Sequence, residues 1–183
     1  MLKEKTKVTY DDYLRLPDEK RYEIIEGELF MVPAPDFFHQ IVSRNIEFRL
    51  LDFVEKNKLG IVVDAPVYVV LSSEDVFQPD ILFISSERRY IITEKNVSGA
   101  PDLIIEILSP STQERDKLVK RHLYSKFGVR EYWIVDPVGK NIEVMTQSDK
   151  GFKLFAAFSN DDVLTSPLIE GFSLPLTAVF ASY

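Results

Sequence analysis

The chain has 183 residues, enough to bury a core without covalent staples, and is expected to form a single domain spanning residues 1–183. It has no cysteine, which excludes disulfides, thiolate nucleophiles and zinc–thiolate sites. Its 22 basic and 29 acidic residues leave a net charge of −7, which argues against loose, non-specific affinity for nucleic acid.

The first dozen residues are charged and lack the apolar centre of a signal peptide. No apolar stretch approaches the roughly 20 residues that span a bilayer, so a cytoplasmic location is expected. A short helix is predicted after Thr9 as N-cap, with Tyr10, Leu14 and Leu16 as its apolar contacts. From Arg21 to Pro33 the pattern predicts two short strands about a turn at Gly27. The longest predicted helix runs from Phe37 to Lys58. It has Phe38, Ile41, Val42, Ile46, Leu50, Phe53 and Val54 at helical spacing, and Gly60 as its stop.

Three β-rich runs follow, Ile61–Val63, Val67–Leu71 and Asp80–Ile84. Asp102–Leu108 then reads as a strand covered on both faces. A helix over Gln113–Phe127 is stopped by Gly128, and Tyr132–Val135 is another strand. Asn141–Phe158 is predicted to be a hairpin turning at Ser148–Gly151. The tail is expected to be irregular, with a short last helix. The predicted class is α/β (α+β), a mixed sheet flanked by helices.

Two acids stand where folding does not ask for them. Asp80 opens a strand after Pro79, and Glu106 interrupts the apolar run Leu103–Leu108. An unpaired buried carboxylate costs several kcal/mol, so such a group implies a cation, an ion pair or a solvated face. The helix after Glu106 has its apolar stripe at Val119, Leu123 and Phe127, with Asp116 inside it. At roughly 100° per residue, Lys120 falls at the edge of that stripe beside Tyr124, while Lys117 points to solvent. Between Arg115 and Arg130 six basic residues face the single acid Asp116, a local net charge of +5. Two acids with a nearby lysine suit a hard divalent cation and phosphodiester chemistry. The lysine would stabilise charge at phosphorus or orient the attacking water.

The segments Arg21–Leu29, His39, Gln78–Pro79–Asp80, Pro101–Ser111, Arg115–Asp116 with Lys120 and Tyr124, and Gly128–Pro137 together resemble the Uma-type restriction endonuclease family. That family lies in the PD-(D/E)xK superfamily of nucleases. The resemblance implies a restriction-endonuclease-like fold in which Asp80 and Glu106 hold Mg²⁺ or Mn²⁺, with the main-chain carbonyl of Ile107 as a further ligand. The motif's lysine slot, two residues after Glu106, holds Leu108. The resemblance implies that the lysine has moved to the next helix, as Lys120. Glu28, His39, Asp116 and Tyr124 match positions that support such a site. Three readings follow: a metal-dependent DNA endonuclease working as a homodimer or higher homo-oligomer, a nuclease fold that binds nucleic acid or a protein without cutting, and a structural protein whose acids form ion pairs.

Overall fold

The structure, a computed structural model, describes residues 7–15, 21–110 and 113–181. Helix α1 (Tyr10–Tyr13) begins at Thr9, where Thr9 and Asp12 form a reciprocal capping box. Tyr13, not Leu14, supplies its core contact: Leu14 is 58% exposed, and Leu16 lies outside the described residues. Strands β1 (Tyr22–Ile25) and β2 (Glu28–Met31) pair antiparallel across Glu26–Gly27, both at positive φ. A two-residue turn of that hand matches the twist of its strands, and glycine adopts it without a Cβ penalty.

Asp36 caps helix α2 (Phe37–Lys56) by accepting the His39 N–H. The helix ends at Asn57, and Gly60 opens the next strand instead of stopping it. A Cβ at Gly60 would lie 2.1 Å from the Ile84 carbonyl oxygen, so close strand packing requires this glycine. Strands β3 (Gly60–Asp64), β4 (Val69–Ser72), β5 (Asp75–Phe77), β6 (Ile81–Ser85), β7 (Val97–Ser98) and β8 (Leu103–Ile107) follow. A π-helical segment, Arg115–Lys120, runs into α3 (Arg121–Phe127), which Gly128 ends at positive φ. The chain continues through β9 (Glu131–Asp136), β10 (Asn141–Ser148), β11 (Gly151–Ser159), β12 (Val163–Thr165), β13 (Ser173–Pro175) and α4 (Leu176–Val179).

The main sheet has the order β11-β10-β9-β8-β6-β3, with β8 and β9 parallel and its other pairs antiparallel. A second sheet, β2-β1-β5-β4-β7, and a β12-β13 ribbon complete the mixed architecture expected from the element order. Residues of β8 alternate between two cores. Leu103, Ile105 and Ile107 join Val42, Ile46 and Leu50 of α2 on one face. Ile104 and Leu108 join Leu123 and Tyr124 of α3 on the other. Glu106 shares the parity of Ile104 and Leu108, so strand geometry aims a carboxylate at α3. Among the described residues no helix is long and apolar enough to cross a membrane.

The structure corrects the expected helical phase. Val119, placed in the apolar stripe, is 37% exposed, whereas Lys120, placed at its edge, is only 4% exposed. The i→i+5 turns of the π segment put more residues in each turn than an α-helix does, which rotates these positions. Lys117 is half-buried instead of facing solvent. The tail forms the β12-β13 ribbon where irregular structure was expected.

A second buried acid has a purely structural setting. Asp102 accepts the Ser85 N–H at 2.8 Å and guanidinium N–H groups of Arg88 and Arg130 at 3.1 and 3.2 Å. Burial pushes its carboxyl up, but the Ser85 N–H and Arg88 outweigh this and hold it below the usual range. A depressed folded-state value contributes stability above the unfolded value and loses it as pH falls through the folded one. Asp102→Asn is therefore expected to cost about 2–3 kcal/mol in urea unfolding at pH 7. The gap from wild type should narrow below about pH 4.

Candidate active site

Where β6 and β8 lie side by side, their edge opens into a cleft of about 240 Å³. Asp80, Glu106, Ile107, Asp116, Lys120 and His39 all line it, so the structure brings six of the expected site residues to one cavity. Tyr124 lies just behind, with its hydroxyl donating to Glu106 Oε1 at 2.6 Å. Glu28 is not among them. It sits exposed on β2, paired with Ile25 across the turn.

Asp80 is held by the backbone of the neighbouring strand. Asp80 Oδ2 accepts the Ile107 N–H at 2.7 Å, which ties the start of β6 to the end of β8. The Ile107 carbonyl lies 3.0 Å from His39 Nε2, so the first turn of α2 clamps the same peptide region. His39 Nε2 also stands 3.4 Å from Asp80 Oδ2. Burial alone would lower the imidazole's pKa, but Asp80 and the Ile107 carbonyl outweigh it and hold the group above its ordinary value.

Lys120 occupies a socket of three carboxylates. Its Nζ lies 2.9 Å from Glu23 Oε1, 3.0 Å from Glu106 Oε1 and 3.2 Å from Asp116 Oδ1, and all four side chains are buried. Burial disfavours the ammonium, yet Glu106, Glu23 and Asp116 reverse this and push its pKa well up, so Lys120 stays charged and is no base. Glu106 is pushed well above the usual carboxylate range by burial. Lys120 draws it back, while Asp116, Asp80 and Glu23 add to the rise. Burial and then Glu106 likewise raise Tyr124, which stays a neutral donor.

Glu23 is the member of this socket that sequence reasoning missed. It also accepts the Gln78 N–H at 3.1 Å, linking β1 to the segment before Asp80. Its signal was available: an acid inside Tyr22–Ile25 interrupts an apolar strand just as Glu106 interrupts Leu103–Leu108.

The cleft suits a cation. Among the described residues it is lined by six acids (Glu23, Asp36, Asp64, Asp80, Glu106 and Asp116) against three permanent cations (Arg21, Arg115 and Lys120). Among the described residues Glu106 Oε2 and Asp80 Oδ1 carry no protein hydrogen bond, because the contacts above fall on the other oxygen of each group. Among the same residues no three histidine or carboxylate side chains converge on one point. A hard cation would therefore rest on two carboxylates, with main-chain and water oxygens completing its shell, as Mg²⁺ usually does. The Ile107 carbonyl can accept a second interaction beside His39.

A mixed sheet that delivers acids from adjacent central strands into a cleft backed by helices defines a nuclease-like fold. The crystal structure of a "putative nuclease belonging to DUF820" from Anabaena variabilis superposes with a TM-score of 0.78, covering 95% of this chain and 98% of that one at 23% identity. The chain belongs to the Uma2 family, described as "Putative restriction endonuclease", whose sequence pattern matches residues 10–177. An uncharacterized protein of Synechocystis, sll1609, is 25% identical over 139 residues, or 74% of this chain and 78% of that one.

Proposed function

We propose that the cleft hydrolyses phosphodiester bonds in DNA with Mg²⁺ or Mn²⁺ bound between Asp80 and Glu106, in the manner of PD-(D/E)xK nucleases. The observation that carries this reading is the pair of carboxylate oxygens unengaged among the described residues, one each from the segments at β6 and β8, inside a cleft whose described lining has more acids than cations. A bound divalent ion would supply a water of lowered pKa and polarise a phosphate oxygen. The chain's own residues do the rest. The Ile107 N–H fixes Asp80, while Lys120 and Tyr124 fix Glu106, leaving each acid one oxygen for the ion. Lys120 acts as permanent counter-charge, which lets carboxylates stay close together in a buried place.

A cation that binds only the folded chain stabilises it. Taking a dissociation constant of about 1 mM for a two-carboxylate Mg²⁺ site, about 10 mM ion adds roughly 1.4 kcal/mol. That corresponds to a melting shift of about 3–6 °C for a domain of this size. The shift is measured against a monovalent salt of equal ionic strength, because screening alone stabilises a −7 chain. It should vanish in Asp80→Asn. No shift beyond the salt control, with Mn²⁺ as well as Mg²⁺, would leave the acids without a metal role and favour a non-cutting binding module.

A further inference from the structure

The nuclease reading needs a cation that meets the substrate's phosphate, and Lys120 is poorly placed to be it. An ammonium has three N–H donors. Three carboxylates already stand within 3.2 Å of Lys120 Nζ. A phosphate reaching Nζ would have to enter among three buried carboxylates, whose charge repels it.

Arg115 has the opposite properties. It lines the same cleft as Asp80 and Glu106, is half-buried, and among the described residues forms no hydrogen bond or ion pair. Its guanidinium carbon lies 4.2 Å from the centre of the Phe30 ring. Contact with a ring occupies the face of the guanidinium and leaves its edge, with five donors in a fork, free for a planar pair of oxygens. The charge is thus braced without being neutralised. The local backbone supports this placement: Arg115 opens the π segment immediately before Asp116, whose carboxylate turns inward to Lys120. Arg21 also lines the cleft but has no such ring contact among the described residues.

We propose that Arg115 is the phosphate-binding residue of this cleft, gripping a backbone phosphate of the nucleic acid through its guanidinium edge while Phe30 holds its face. The proposal rests on the nuclease reading and reassigns one role within it. Lys120 organises the acids, and Arg115 meets the substrate.

The test is fluorescence anisotropy of a labelled duplex of about 20 base pairs binding the full chain between about 50 and 200 mM KCl. Ca²⁺ replaces Mg²⁺ as the oxygen-seeking ion, and a gel checks that the duplex stays intact. Arg115→Ala should weaken binding about 10- to 100-fold, the range for a charge-assisted bond. It should also reduce the salt slope by about 0.9, the value of one phosphate contact. Arg115→Lys should restore the slope but only part of the affinity, because a lysine keeps the charge and loses the fork. Arg121→Ala removes a nearby cation that does not line the cleft and should leave affinity within about twofold of wild type. Wild-type affinity and slope in Arg115→Ala, or equal losses in Arg115→Ala and Arg121→Ala, would overturn the assignment while leaving the nuclease reading standing. A wild-type chain that neither binds DNA with Ca²⁺ nor cuts it with Mn²⁺ would overturn both.

Discussion

Lys120→Met is expected to destabilise the metal-free protein by about 3–5 kcal/mol in chemical denaturation, the cost of leaving a buried charge without its partner. The substitution nearly preserves volume, so packing contributes little. What it removes is the ammonium set among Glu23, Glu106 and Asp116, each within 3.2 Å of Nζ and each buried. A lysine at the edge of an apolar stripe, as the sequence pattern placed it, would be lost with little effect on the fold. The socket predicts the reverse. Adding Glu23→Gln to Lys120→Met should recover part of the loss, because it removes one of the uncompensated charges, and the two changes should be clearly non-additive. Lys117→Met, three residues away on the same segment, should stay within about 0.5 kcal/mol of wild type. Equal effects at the two lysines would mean that the socket does not hold in solution.

That contrast also marks how far the sequence could be read. The apolar run Leu103–Leu108 announced a strand covered on both faces, and the acid inside it pointed to the candidate cleft. Both were legible because a strand's period of two leaves no freedom in where a side chain points. The helix after it was legible as a helix but not in phase. Its first turns bond i→i+5, and no propensity in Arg115–Lys120 distinguishes a π turn from an α turn. The burial of Lys120 and the exposure of Val119 therefore had to come from three dimensions. Strands β5 and β7, of three and two residues, were too short to show any periodicity. Glu23 was legible in principle, because it breaks an apolar strand, but its partner Lys120 lies 97 positions away along the chain. Glu28, although it belongs to a segment that resembles the family, pairs with Ile25 beside the Glu26–Gly27 turn, at the exposed end of the hairpin, and does not line the cleft.

Glu106→Gln is expected to leave the metal-free protein within about 1 kcal/mol of wild type, or to stabilise it, as pH is raised. Burial, together with Asp116, Asp80 and Glu23, holds the Glu106 carboxyl above its usual range despite Lys120. A raised folded-state value contributes stability below the unfolded value, near 4.5, and loses it as pH rises through the folded one. Glutamine carries no such loss, and Lys120 keeps Glu23 and Asp116 as partners. The difference in unfolding free energy should therefore move in favour of Glu106→Gln on going from about pH 4 to above the folded-state value. If Glu106 were only half of a structural ion pair, the same change would cost about 3–5 kcal/mol. Stability in chelator thus separates an acid kept for function from one kept for folding.

If Asp80 and Glu106 make this cleft a cation-dependent nuclease, the protein should cleave supercoiled plasmid DNA. With Mn²⁺ the wild-type chain should convert the supercoiled form to nicked and linear DNA, and chelator should stop it. Glu106→Gln and Asp80→Asn, folded as their melting curves show, should cut at least about 10³-fold more slowly, a loss of about 4 kcal/mol of transition-state stabilisation. Cleavage by wild type that survives chelator, or undiminished cleavage in both variants, would contradict the account.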